Sequence, residues 1–315
     1  RLFIADAAER ARGTQGETYD AAGGTVNNFK DADVADWREV AAVGDWLWIT
    51  VATTAPEDTY LITDVAEGYI TLDQVIAAEG PGLSWRVLRG GKVFDPNASE
   101  QLTAWAPQVT AGRLPAGCPL IAAWNGCLVT AGGPVYPYGW WMSRFGDPLD
   151  WDFFAYDGDP GRAVFSQAGG LNAIGEPLTA LVAFSDDYLI FGCENSLWVL
   201  RGHPASGGVM NNLSRKVGII DAGAWCAGPE GQIVFLSRRG LYELAPGAGS
   251  FPVPLSEQAL PRELIDVDVS QYTVHLAYDA RDGGVRVFVT PRPGGPGQQW
   301  FLHWSGRSFW PVSIP

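Results

Sequence analysis

The sequence predicts an all-β protein, and three observations carry that expectation. Apolar residues fall in short runs of strand length, separated by turn formers. The 315-residue chain holds 39 Gly and 22 Pro, and runs bounded by Gly, Pro, Asn and Asp read as strands and turns. Helix signals are few: only 99–105 and 256–264 offer a Ser cap before a stretch able to hold a turn or two. Finally, a unit of two strands across a short polar turn, followed by a third strand, recurs along the later part of the chain. The Gly and Pro content does not signal disorder. With 47% hydrophobic and 12% aromatic residues, the chain can bury enough apolar surface to offset the entropy of ordering.

The first elements belong to a small unit over 29–90. Val43-Gly44-Asp45 makes a turn, and 46–49 alternates Trp46 and Trp48 against Leu47 and Ile49. Strands follow over 59–65 and 69–73, and 83–88 closes the set. Four or five short strands in so few residues suit a barrel. The layout resembles the small SH3-like barrels found in many phage virion proteins. Residues 1–28 are read as an N-terminal strand or strands, with the run around Phe3 belonging to a further repeat that the barrel interrupts.

The recurring unit then occupies 91–315. Leu120–Trp124, an Asn125-Gly126 turn and 127–130 form the first copy. The second is 181–191 around Asp186, with 196–200 as third strand; the third is 224–235 around Glu230, with Gly240–Leu244. The fourth runs from His275 through Asp282 to 285–289 and 300–304. A recurrence of roughly 40–50 residues, with loops inserted between copies, is that of propeller blades. The expected fold is therefore a β-propeller of four or more blades with a small inserted SH3-like β-barrel; a β-sandwich is the alternative.

Charge and composition exclude several classes. With 35 acidic against 21 basic residues, net charge −14 and a pI near 4.6, the chain lacks the basic footprint of a nucleic-acid binder. It also lacks the basic amphipathic helix of a membrane-surface protein, and no apolar run approaches the ~18 residues of a spanning helix. The chain opens at Arg1 without an initiator Met and without a signal-peptide pattern, which leaves room for residues upstream. Cys118, Cys127, Cys193 and Cys226 show no CxxC spacing and are expected as buried thiols; Cys118 and Cys127 are the one pair placed to cross a hairpin.

Chemistry-bearing motifs are sparse. G-x-S-x-G, the phosphate loop, H-E-x-x-H and a helix-opening G-x-G-x-x-G are all missing, and His203, His275 and His303 have no local partners. Asp147, Asp150 and Asp152, with Asp157 and Asp159, could serve glycoside hydrolysis or hold a hard cation. The favoured reading is that they start turns, each short carboxylate bonding a nearby backbone N–H. The aspartate box of sialidase-like propellers, S-x-D-x-G-x-x-W, is not matched. The Gly/Pro-rich loop bearing Tyr136, Tyr138 and Trp140 supplies the candidate surface contacts; packing between blades is the competing use of these rings.

Two stretches together carry a family resemblance. One is 140–151, WWMSRFGDPLDW. The other is 188–202, YLIFGCENSLWVLRG, followed by 214–219, SRKVGI, and 235–242, FLSRRGLY. In this order they resemble the blades of phage virion propellers, similar to the tail nozzle and packaged-DNA-stabilisation proteins of short-tailed phages. The resemblance covers 118–245. It implies a virion structural protein of the tail or portal vertex, assembled in the host cytoplasm as a homo-oligomeric ring around the DNA exit channel. It brings no catalytic residue, cofactor or metal. Expected partners are other tail, portal or adaptor proteins, with passing contact to genomic DNA and none to membrane; an acidic lumen would let phosphate slide. The alternative from the residues is a glycan-binding or glycan-hydrolysing propeller using Asp147, Asp157 and the Trp140 loop.

Overall fold

The computed structural model describes residues 2–19, 27–53, 55, 58–97, 101–105, 112–154, 158–166, 173–245, 251–255, 261, 264–265, 267–292 and 294–312. It is all-β, and it divides into two compact units: 1–121 with 133–136 and 147–154, and 122–132 with 137–146 and 155–315.

The first unit holds a closed barrel. Its strands are β2 (Glu9–Tyr19), β3 (Asn28–Asp31), β4 (Trp46–Val51), β5 (Thr59–Val65), β6 (Ile70–Leu72) and β7 (Glu79–Leu88), paired in the order β2-β3-β6-β5-β4-β7 and closed on itself. The barrel thus begins ahead of residue 29. The pattern hides β2 because its sequence, ERARGTQGETY, is almost devoid of apolar residues. Gly13 and Gly16 sit where a Cβ would strike the rings of Trp85 and Phe29 at 2.7 and 2.2 Å. The strand contributes space for those rings rather than side chains of its own.

Inside the barrel, Phe29, Leu47, Ile49, Ile62, Ile70, Leu83 and Val87 are fully buried. A one-turn helix that the sequence did not announce, α1 (Trp37–Val40), is capped by Asp36, whose carboxylate accepts the Arg38 N–H. It places Trp37 against Phe29 and Trp85 at ring distances of 5.9 and 4.9 Å. Two buried carboxylates tie the wall together. Asp31 accepts the Trp85 indole N–H at 2.7 Å, and Asp45 accepts the Ala42 and Gly90 N–H groups.

The barrel lies in sequence between β1 (Leu2–Ile4) and β8 (Lys92–Phe94). β8 is the middle strand of a three-stranded sheet, pairing with β1 on one side and with β9 (Thr103–Ala104) on the other. The helical turn expected over 99–105 is overridden at its described end. Lys92 and Val93 pair with Ala104 and Thr103, Trp105 donates to the Gly91 carbonyl, and its ring is buried against Phe3 and Trp151. Tertiary pairing outweighs the local cap. Of the second expected helix, 256–260 and 262–263 lie outside the described residues; the Leu264 N–H donates to the Pro261 carbonyl.

The second unit holds the recurring copies, each a four-stranded antiparallel sheet in sequence order. The first is β10 (Leu120–Trp124), β11 (Cys127–Ala131), β12 (Trp140–Met142) and β13 (Val164–Ser166). The second is β14 (Leu178–Ser185), β15 (Tyr188–Cys193), β16 (Leu197–Arg201) and β17 (Val209–Ser214). The third is β18 (Trp225–Ala227), β19 (Ile233–Ser237), β20 (Gly240–Leu244) and β21 (Val253–Pro254). The fourth is β22 (Tyr272–Asp279), β23 (Gly284–Pro291), β24 (Gln298–His303) and β25 (Ser308–Pro311). In the first turn Asn125 and Gly126 both take positive φ, 45° and 73°, the left-handed pair a two-residue hairpin requires.

Successive sheets are stitched to one another. The Trp124 indole donates to Ser185 at 2.7 Å, and the Trp140 and Phe191 rings lie 5.5 Å apart. Residues 219–224 serve the next three sheets at once: Ile219 donates to Cys193, Ile220 to Leu236, and Gly223 accepts from Leu276, while Asp221 accepts the Val274 N–H at 2.9 Å. One continuous apolar core, including Val182, Ile190, Val234, Phe235, Val274 and Val287, runs through the last three sheets.

Candidate functional site

Residues 140–146 leave β12 by a tight set of bonds. Ser143 is fully buried; its backbone donates to the Leu128 carbonyl and its hydroxyl accepts the Leu128 N–H in return. Gly146 (φ 75°) donates to Gly126. The serine rivets the strands together: its hydroxyl accepts the Leu128 N–H and donates to the Arg144 carbonyl.

The acidic run that follows, 147–152, folds as three consecutive Asx turns. Asp147 accepts the Leu149 N–H at 2.9 Å, Asp150 that of Asp152 at 3.0 Å, and Asp152 that of Phe154 at 3.0 Å. Trp151 is fully buried and donates its indole N–H to Pro148. Asp and Trp in this stretch therefore shape the loop, as the turn reading expects. Asp157 lies outside the described residues. Asp159, in the second unit, accepts the Gly161 N–H and pairs with Arg144 at 2.5 Å; the backbone donor, then the arginine, hold its carboxyl below the usual range.

Of the three aromatic candidates, Tyr136 is exposed and Tyr138 half-buried. Trp140 is corrected: it is 1% exposed and packs on Phe191 inside the second unit. It occupies the first position of β12, where its partner is the equally buried Ala131. It therefore belongs to the core although the loop before it is Gly- and Pro-rich.

The histidines make separate local bonds. His203 is nearly buried and its Nδ1 accepts the Ala205 N–H, capping a 3-10 turn. His303 accepts from Gly306 on an exposed turn, and the His275 ring lies beside Gly223. Among the described residues, no group of three His, Cys, Asp or Glu side chains is placed to hold a metal ion. All four cysteines are buried thiols outside any disulfide, and burial pushes the thiols of Cys127 up to about 11 and of Cys193 and Cys226 up to about 12.

One feature escapes the sequence reading. On the last sheet a groove of about 640 Å³ opens beside β24, lined by Phe288, Gln299, Trp300 and Pro311 among others. The signal for it is a Gln in the alternation of β24, on the face shared with Phe301, beside a Gly-Gly-Pro-Gly connection.

No family model matches the chain, and no curated protein matches it. Among solved structures, it is similar to a quinoprotein alcohol dehydrogenase-like protein of Bacteroides thetaiotaomicron, 13% identical with a TM-score of 0.42, over 96% of this chain and 77% of that one. A structural-genomics protein of unknown function from the same bacterium is 10% identical with a TM-score of 0.34, over 95% of this chain and 73% of that one.

Proposed function

We propose that this chain is a non-catalytic structural protein of a phage virion, placed at the tail or portal vertex. In this reading the four-stranded sheets are blades of a β-propeller, and copies of the chain form a ring around the DNA exit channel. The observation that carries it is the use made of the motif residues. The Ser, Gly, Asp and Trp of 140–151 hold strands and turns, with Asp147, Asp150 and Asp152 each bound to a backbone N–H. The stretches 188–201 and 235–242 supply the central strands of the second and third sheets. A sequence whose signature builds blades and turns suits a part that works through its surfaces.

The barrel and the loops between sheets are the proposed contacts to portal, adaptor or fibre proteins, with Tyr136 and Tyr138 as exposed or half-exposed rings. Net charge −14 suits a channel that DNA passes without sticking, and closed cyclic symmetry is the usual form of such assemblies. Electron-microscopic class averages of the purified chain test the ring directly. Closed rings of fixed copy number are the expected result. A monomer at all concentrations, or cleavage of a glycan that Asp147→Asn abolishes, would overturn the proposal.

A further inference from the structure

His203 is the buried histidine of the three; His275 and His303 are exposed. It stands at the head of the connection between β16 and β17, which uses both its ring and its backbone. The ring Nδ1 accepts the Ala205 N–H at 3.2 Å and caps the 3-10 turn Pro204–Ser206. Its carbonyl accepts the Ser206 and Gly208 N–H groups, each at 2.9 Å. Gly202 and Gly207 take φ 71° and 90°, which lets the connection fold back on the histidine. A ring nitrogen that accepts carries no proton, so the ring is neutral with its hydrogen on Nε2. Among the described residues that Nε2 has no partner and almost no accessible surface.

The same connection is bonded to the one that leads into β13. Ser206 Oγ donates to the Pro160 carbonyl at 3.0 Å. The turn around Pro160 is itself held: the Asp159 carboxylate accepts the Gly161 N–H at 2.9 Å and pairs with Arg144 at 2.5 Å, and the Gly161 carbonyl accepts the Phe145 N–H. Burial opposes a charge on the His203 ring first, and Arg162 of this turn opposes it next. Asp159 favours the charge, but its carboxylate is already engaged by Gly161 and Arg144. No other ionisable side chain lies in 202–208.

A proton added to Nδ1 therefore does two things. It turns the acceptor of the Ala205 N–H into a second donor, and it places a positive charge in an enclosed site beside Arg162. The geometry points to His203 as an acid-operated latch between the first and second sheets: neutral, it clamps 202–208 onto 158–163, and protonated, its ring leaves and the two connections part. The proton comes from solvent and returns to it, so the latch resets as pH rises. With the folded pKa below the ordinary 6.5, the latch is closed above about pH 6.5 and opens as pH falls from there. The Trp124–Ser185 bond and the Trp140–Phe191 contact also join these sheets and contain no group that titrates in this range. The opening is therefore local and precedes unfolding. This inference does not rest on the tail reading, and either can fail alone.

The test is hydrogen exchange of the whole chain, read by mass spectrometry at pH 7.5 and pH 5, with labelling times scaled for the chemical exchange rate at each pH. Peptides covering 158–163 and 203–208 should exchange about fivefold faster at pH 5 than that scaling accounts for, while β11 and β15 keep their protection. Return to pH 7.5 should restore both segments. His203→Asn offers the Ala205 N–H an acceptor that does not titrate, and should show no such loss. Unchanged protection in the parent, a loss that extends to β11 and β15, or the same loss in His203→Asn would overturn the proposal. The two parent measurements decide it even where that variant does not fold.

Discussion

The Arg10 guanidinium Nε lies 2.6 Å from Oδ2 of Asp45, a carboxylate with no exposed surface. The same carboxylate accepts two backbone donors, Ala42 and Gly90, each at 3.0 Å. It thus joins β2, the turn before β4 and the exit from β7. Gly90 is required there: a Cβ on it would stand 1.6 Å from the Gly44 carbonyl oxygen. Asp45→Ala would leave two buried N–H groups and the arginine unpaired, at a cost of about 3 kcal/mol. Urea unfolding followed by tryptophan fluorescence should show that loss in the first unit; a change below about 1 kcal/mol would mean the carboxylate does not hold the barrel.

His203 gives the second unit an acid sensitivity. Burial, and then the nearby Arg162, hold its pKa below the ordinary 6.5, with Asp159 opposing. An unfolded chain takes up the proton first, so stability is full above about pH 6.5 and falls as pH drops from there toward the lowered value. Protonating Nδ1 also removes the acceptor of the Ala205 N–H. His203→Asn keeps an acceptor and loses the titration. Its stability should change less between pH 7.5 and pH 5 than the parent's, by thermal melts at both pH values; equal slopes would refute the assignment.

The cysteines should be inert while the chain is folded. With Cys193 and Cys226 pushed up to about 12 and Cys127 to about 11, the nucleophilic thiolate is scarce at pH 8. Mass spectrometry after iodoacetamide should find no label on the native chain and four labels in denaturant. Rapid native labelling at Cys193 would contradict the placement of β15.

The first hairpin of the second unit should rank two substitutions. Asn125→Ala puts a Cβ residue less tolerant of φ 45° at the turn, costing about 1 kcal/mol. Gly126→Ala adds to backbone strain a Cβ 2.7 Å from the Phe145 ring, and should cost more. The reverse order in thermal melts would mean that the turn is not of this type.

These positions also show what could be read in advance. The four sheets were legible because each opens with two apolar strands around a polar turn, a local signal that Asn125-Gly126 and Asp282-Gly283 state plainly. Barrel strands β4 to β7 were legible for the same reason. β2 was not, because its role is to make room: Gly13 and Gly16 yield to Trp85 and Phe29, and absence of side chains leaves no periodicity. Trp140 was misread as a surface contact because its Gly/Pro neighbours describe the loop, whereas its own burial comes from Phe191, distant in sequence. The turn roles of Asp147, Asp150 and Asp152 needed only their neighbours and were legible. Gln299 was not, because a groove is made by strands brought together only in the fold.

The proposed place of this chain in a virion is open to immunogold electron microscopy. An antibody to the chain would be applied to phage-like particles purified from its source. Gold confined to one vertex or the tail is the expected result. Intact particles that never label, with the chain recovered instead in a soluble cellular fraction, would contradict it.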